Sequence, residues 1–221
     1  MRSWTKIVTR IIPWLGAAVV FGAGCGGAQS GPRANVVLPP TPKGALRAPS
    51  DFSSISDAKE RSMALFVEAS RVMLHPRCRN CHPAGDSPLQ GDRGLVHDPP
   101  VARGAADKGV PGLECTSCHQ DHNLELARVP GAPGWHLAPR SMAWEGRTAH
   151  ALCEQIKDPA RNGGKTLAEI VEHSAHDRLV AWGWAPGHDR EPAPGSQAEL
   201  GALMAAWVKD GAECPPEESG R

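Results

Sequence analysis

Apolar residues recur at helical spacing in a few well-separated stretches of the chain. Met63, Phe66, Ala69 with Ser70, and Met73 step forward three or four residues at a time. Asp57-Ala58-Lys59-Glu60, just ahead of them, has the form of an N-terminal cap, so a helix should begin near Ser56. The residue before a proline resists the α conformation, which ends this helix by His75-Pro76. Thr148 is placed to cap a second helix running to about Asp158, closed by Pro159. Thr166-Leu167-Ala168-Glu169 is a capping box for a third, extending to about Val180. Ser196-Gln197-Ala198-Glu199 opens a fourth. Its apolar stripe is Leu200, Leu203, Met204, Trp207 and Val208, and Gly211 is well placed to stop it.

Between these helices the pattern is irregular. From Pro83 to Glu114, and again from Val129 to Met142, Gly and Pro interrupt every incipient period. No run of alternating β-branched residues occurs. The expected fold is therefore mainly α with extensive irregular loops and little or no β-sheet. Residues 25–52 are rich in Gly, Pro and Ala, with Pro39-Pro40 and Pro42 opposing helix, and read as a flexible tether. Residues 53–216 are long enough for one compact domain, the helices making its C-terminal part, and residues 217–221 form a tail.

The N-terminus reads as an export signal. Arg2, Lys6 and Arg10 precede an apolar run from Ile11 to Gly24. That run falls short of the ~20 residues a membrane-spanning helix needs. Residues 1–24 are thus read as a secretory leader. Phe21-Gly22-Ala23-Gly24-Cys25-Gly26-Gly27 resembles a bacterial lipoprotein cleavage site, with Cys25 as the lipidated residue and Gly22 where Leu is usual. The alternative is ordinary cleavage near Ala28. The expected location is the periplasm, with the chain anchored to a membrane through the lipid on Cys25.

Charge narrows the class of partner. The formal net charge is zero, and losing the leader leaves 21 basic against 24 acidic side chains. No basic face for nucleic acid is implied. Aromatic residues make up only 5% of the chain, with no Tyr, so Trp135, Trp144, Trp182, Trp184 and Trp207 supply most of the planar surface.

The candidate chemistry lies in two pentapeptides, Cys78-Arg79-Asn80-Cys81-His82 and Cys115-Thr116-Ser117-Cys118-His119. CxxCH is the attachment pattern of c-type haem, in which the thiols of Cys78, Cys81, Cys115 and Cys118 would add to porphyrin vinyl groups. His82 and His119 would then supply the proximal iron ligands. Paired CxxC motifs also suit a structural zinc site of four thiolates. A thioredoxin-type dithiol needs a preceding strand, and none is evident. The histidine following both pairs, together with export, favours two covalent haems.

On that reading an exported electron carrier is the first hypothesis. A dihaem peroxidase-like enzyme with one accessible iron is the alternative, and a zinc-binding structural protein the third. No motif places a catalytic acid, so the chain is read as a carrier and not an enzyme. Cys153 and Cys214 remain, and an oxidising compartment favours a disulfide between them. Distal iron ligands are sought first at His97 and His136, in loops that can fold over a porphyrin, with Met142 and His176 in reserve. His173 shares a helix face with His176, which precedes Asp177, a possible hydrogen-bonding partner.

Several strings resemble a family of small bacterial dihaem c-type cytochromes associated with isoquinoline 1-oxidoreductase-type molybdenum hydroxylases. They are His75-Pro76-Arg77-Cys78 with Asn80-Cys81-His82-Pro83, Gly109-Val110-Pro111-Gly112, and Cys115 to Gln120. Val129 to Pro139, Met142-Ala143-Trp144-Glu145-Gly146, Lys157 to Gly164, and Trp182-Gly183-Trp184 continue the likeness. The arrangement also resembles the small dihaem subunit of periplasmic nitrate reductase, from which the helical C-terminal part departs. The resemblance implies a multihaem cytochrome-like fold and a periplasmic electron shuttle. Its partners would be redox proteins, with a molybdenum hydroxylase as a possible donor.

Overall fold

The structure is a computed structural model, and it describes residue 38 and residues 40–217. The leader, Cys25 and residues 218–221 lie outside the described residues, as does most of the expected tether. The fold is mainly helical.

Helix α1 (Ala58–Met73) starts where Asp57 accepts a hydrogen bond from the Glu60 amide at 2.9 Å. A sharp break follows, and the single turn α2 (Pro76–Arg79) begins with proline at its first position, where no amide donor is missed. After a long irregular stretch come α3 (Ala149–Lys157), capped by Thr148, and α4 (Leu167–His176), capped reciprocally by Thr166 and Glu169. The expected continuation of α4 to Val180 is interrupted. Asp177 turns extended, and its carboxylate accepts from the amides of Leu179 at 2.8 Å and Val180 at 3.2 Å, starting α5 (Arg178–Ala181) afresh. A short side chain that competes for backbone amides is sufficient cause. Helix α6 (Gln197–Lys209) closes the fold, with Ser196 at its cap and Gly211 in the left-handed region just beyond it.

Helix α6 lies between α1 and α4. Phe66 and Trp207 are fully buried where α1 meets α6, their rings 4.9 Å apart and tilted. Leu65, Val72, Leu152, Leu203 and Met204 surround them in the same core. Each such side chain contributes about 1.5–3 kcal/mol relative to exposure. On the other side of α6, a Cβ at Gly201 would stand 2.5 Å from the Ala175 Cβ, so the α4–α6 crossing depends on a residue without one. The Ser62 hydroxyl donates to the Trp207 carbonyl and accepts from the Glu213 amide, both at 3.0 Å, fastening the end of α6 to α1. A disulfide joins Cys153 in α3 to Cys214 after α6, with Cα atoms 5.6 Å apart.

The chain before Phe52 is more ordered than its composition suggests. Leu46 and Phe52 are buried in the helical core, and Pro49–Phe52 form a 3₁₀ turn. Arg47 reaches Glu68 of α1 at 2.8 Å, and Arg71 binds both Glu68 and the Ala45 carbonyl. The packed part therefore begins well before residue 53. Two isolated apolar residues among prolines give no period to read.

The sheet content is small. β1 (Leu89–Gln90) pairs antiparallel with β2 (Leu95–Val96), Leu89 opposite Val96. β3 (Gly109–Val110) pairs with β4 (Leu113–Glu114) in the same sense. These two-residue ladders give shape to the loop between the CxxCH motifs. Among the described residues no helix is long and apolar enough to cross a membrane.

Candidate functional site

Both CxxCH motifs wind into one helical turn. In the first, the Cys81 amide donates to the Cys78 carbonyl at 3.1 Å and the His82 amide to Arg79 at 3.0 Å. In the second, a 3₁₀ turn at Cys115–Ser117, the amides of Cys118 and His119 both donate to the Cys115 carbonyl, at 3.3 and 2.9 Å. A turn of this kind sets residues i and i+3 on one face, so each pair of thiols points the same way.

The two histidines are held alike. His82 Nδ1 donates to the Met142 carbonyl at 2.8 Å, and His119 Nδ1 donates to the Pro130 carbonyl at 2.7 Å. That contact fixes the tautomer and leaves Nε2 bare, the arrangement a metal-bound imidazole has when its second nitrogen is oriented by the protein. Each ring also carries a parallel tryptophan. Trp144 stacks on His82 with centroids 3.4 Å apart, and Trp135 on His119 at 4.6 Å.

All four restraints come from one irregular segment, residues 130–144. Its path is enforced locally. A Cβ on Gly131 would stand 2.2 Å from the His122 carbonyl and 2.4 Å from that of Gln120. Only glycine lets the chain close over the turn that follows His119. The Gly131 amide donates to Asn123 Oδ1 at 3.0 Å, which also accepts from Trp182 Nε1 at 3.0 Å. Trp182 in turn meets Trp135 edge-on, 5.0 Å between centroids. The Trp144 amide donates to the His82 carbonyl at 2.9 Å, and the Ala138 amide to Cys81 at 3.0 Å.

Burial decides the protonation states. It pushes the thiols of Cys78 and Cys81 up to about 12 and about 11, and raises Cys115 as well. It pulls the His82 imidazole down to about 3, against the opposing effect of the Met142 carbonyl, and lowers His119 in the same way. At neutral pH these groups are uncharged thiols and neutral imidazoles. A reactive dithiol requires the reverse, a thiolate stabilised by its surroundings. Among the described residues no three of His, Cys, Asp and Glu converge to hold a metal ion, so the two Cys pairs do not form a common cage.

Beside the second motif is a cavity of about 670 Å³, lined in part by Cys115, Cys118 and His119, with His97 and His136, and reaching Cys81 of the first motif. Its size is that of a cofactor site, ~300–1,000 Å³. His97 stands against His119 with ring centroids 5.9 Å apart and planes at 72°. Its Nδ1 donates to the Pro99 carbonyl at 2.8 Å, so Nε2 is again the free nitrogen. Two imidazoles that share one metal, each bonded at ~2.0–2.1 Å, have centroids roughly 6 Å apart, and this separation is of that order. At the second motif the residues present fit a covalently attached haem: paired thiols on a turn, a neutral oriented imidazole, an apolar cavity and a second imidazole nearby.

The other expected ligands divide. His136 donates from Nδ1 to the Gly134 carbonyl at 2.5 Å and lines the cavity. It also lies near enough to His82 and His173 to lower their proton affinities. Met142 is buried in the helical core, and its carbonyl is the one that orients His82. His176 is exposed on α4, with Nε2 3.8 Å from Glu172. The residue on that helix close to the first motif is instead His173, whose charge would disfavour a proton on His82. His173 Nδ1 lies 3.2 Å from Asp177, again leaving Nε2 free. The sequence offered both histidines of α4 on one face, and only the packing distinguishes them. The two carbonyls at 130 and 142 carry no sequence signal. The tryptophans paired with them were visible only as unassigned aromatics.

Comparison with protein-family models, with curated proteins and with solved structures finds no match to this chain.

Proposed function

We propose that this chain is an exported dihaem c-type cytochrome that carries electrons between redox proteins in the periplasm. The observation that carries the reading is the repeated geometry at His82 and His119. Each follows a CxxC turn, each donates Nδ1 to a carbonyl, and each is backed by a tryptophan. When bound, haem supplies a one-electron iron couple at each motif.

The chain's own residues then account for the properties a carrier needs. Cys78 with Cys81, and Cys115 with Cys118, are the attachment points. His82 and His119 present neutral Nε2 atoms as proximal ligands. His97, opposite His119, is the distal ligand at the second motif. At the first motif His136 and His173 are the imidazoles near His82. Held loops keep these ligands in place as charge changes, so no ligand exchange adds to the reorganisation that accompanies each electron. Cys81 and Cys115 sense one another electrostatically, and Cys81 borders the second motif's cavity, so the two sites are neighbours.

A periplasmic dehydrogenase, with a molybdenum hydroxylase as one candidate, would be the donor. Cys25 would carry the lipid that anchors the chain to a membrane. The peroxidase-like reading requires an iron with an open position, and the His97–His119 pair argues against one at the second motif. The test is the spectrum of the purified exported protein. A pyridine haemochrome stoichiometry of two per chain, with a reduced spectrum unmoved by carbon monoxide, is the expected result. Absence of haem overturns the reading, and a carbon monoxide response converts it to the enzyme alternative.

A further inference from the structure

The cavity beside the second motif has apolar walls, Trp135 and Leu137 among them, yet arginines enter it from several segments. Five guanidiniums border it against three carboxylates, those of Asp92, Asp98 and Glu114. Arg77, of α2, has a side chain 1% exposed, and its carboxylate partner Asp92 lies further out, 51% exposed. The Arg77 Nε is buried without a hydrogen-bond partner. Its guanidinium stands 5.9 Å from the face of Trp182, the ring that meets Trp135 edge-on.

Arg190 reaches the same cavity from the segment after Trp184 and is half-buried. It donates to the carbonyls of Pro186 at 3.0 Å and Gly187 at 3.5 Å, and to that of Arg128. These bonds fix the side chain without neutralising it. Asp189 offsets part of its charge, but is itself bound to Arg128 at 2.7 Å. The two cations also oppose each other: burial lowers the proton affinity of Arg77, and Arg190 lowers it further. Like charges set in an apolar wall, one with an orphaned donor, call for an anion between them. Arg103 also lines the cavity with its Nε unpartnered, but its terminal nitrogens are already engaged. They serve Asp107 and the carbonyls of Pro83, Gly85 and Ala138.

We infer that Arg77 and Arg190 receive the propionate carboxylates of the haem attached at the second motif. The inference rests on the haem reading above. Cys115, Cys118 and His119 all line this cavity, whereas neither Cys78 nor His82 of the first motif does. Haem bears its two propionates on the edge away from the vinyl groups that the thiols take. Guanidiniums brought in by other segments are therefore the ones suited to meet them. A guanidinium binds a carboxylate through paired N–H donors, and a dry surround strengthens the attraction. The contact is ionic, and in it no covalent bond forms and no electron moves. Both arginines bind the rim of the haem and not its iron.

The test is redox-difference infrared spectroscopy of the matured dihaem protein, with the haem propionates isotopically labelled at their carboxyl carbons. The label separates propionate stretches from those of Asp and Glu, and a potential titration reads the two haems in turn. In Arg77→Gln and in Arg190→Gln the labelled carboxylate bands of one haem should shift, and those of the other should stay. Arg77→Lys and Arg190→Lys, which keep a cationic donor, should lie closer to wild type. Labelled bands unmoved in both Gln variants overturn the inference. Equal shifts in the Gln and Lys variants, or shifts at both haems, mark a structural role and overturn it too. Where Arg77→Gln fails to mature, Arg190→Gln at its half-buried position decides by the same readings. In all these cases wild type still carries two haems, whereas a wild-type protein without haem would defeat the underlying reading instead.

Discussion

At His82 and His119 the same two contacts recur, a carbonyl on Nδ1 and a tryptophan on the ring, and the ring's other nitrogen is left for a ligand. The pairing with His97 makes the sharpest residue-level prediction. If His97 is the distal ligand of a haem at the second site, His97→Ala should turn one haem of two high-spin and able to bind carbon monoxide. An unchanged low-spin spectrum would show that the 5.9 Å approach of His97 to His119 is packing and not ligation. At the first site the same assay on His136→Ala and His173→Ala identifies the ligand by which variant opens. The two CxxCH turns were legible because each lies in five consecutive residues. Which histidines come near them was not, since a histidine's reach depends on how a glycine- and proline-rich loop returns. Met142 illustrates the point: its segment does approach His82, but through a backbone carbonyl.

At the scale of elements, helix starts were readable because capping is local chemistry. Asp57, Thr148, Thr166 and Ser196 each cap the helix expected of them. The restart at Asp177 and the two small hairpins were not, being decided by one side chain or by ladders too short for a period. Nor did composition disclose that residues 45–52 dock on α1. Glu68, 4% exposed and bound by both Arg47 and Arg71, is central to that docking. Removing it leaves two guanidiniums partly buried without their carboxylate. Glu68→Ala should therefore lower unfolding stability by about 3–5 kcal/mol in denaturant titration. A loss below ~1 kcal/mol would mean that the segment is held by Leu46 and Phe52 alone.

A second inter-element pair gives a pH dependence. Arg61 of α1 grips Asp210, just beyond α6, through Nε at 2.6 Å and Nη2 at 3.1 Å. The hydrogen bond from Arg61 holds the Asp210 carboxyl below its ordinary range. A depressed carboxylate contributes stability that is complete above the unfolded value, ~3.9, and is lost as pH falls through the folded one. Asp210→Asn should be less stable than wild type at neutral pH, and the two should converge under acid. Parallel curves down to the lowest pH would remove the pair from the acid response.

For the whole molecule, the disulfide closes the helical half on itself. Cys153 and Cys214 are 61 residues apart, and a loop of that length contributes on the order of 4 kcal/mol. Cys153→Ser with Cys214→Ser should lose stability of that order in thermal or denaturant unfolding, and thiol labelling under denaturing, non-reducing conditions should find neither cysteine free in the wild-type chain. A double variant as stable as wild type would confine the bridge to a minor role. The helical core around Phe66 and Trp207 reaches the first motif, since Met142 and Trp144 belong to it and Cys78 packs against it. It anchors the ends of the irregular segments, and those segments build the sites. This division explains why the sequence disclosed the core elements through period and caps, and the site only through its two motifs.

The central claim is that each CxxCH turn carries its own covalently attached haem. Intact and peptide-level mass spectrometry of the exported protein under denaturing conditions tests it most directly. The account predicts two haem additions per chain, one on the peptide containing Cys78 and Cys81 and one on that containing Cys115 and Cys118, with Cys81→Ala and Cys118→Ala each removing one. Unmodified thiols at both motifs in protein matured by a competent host would contradict it.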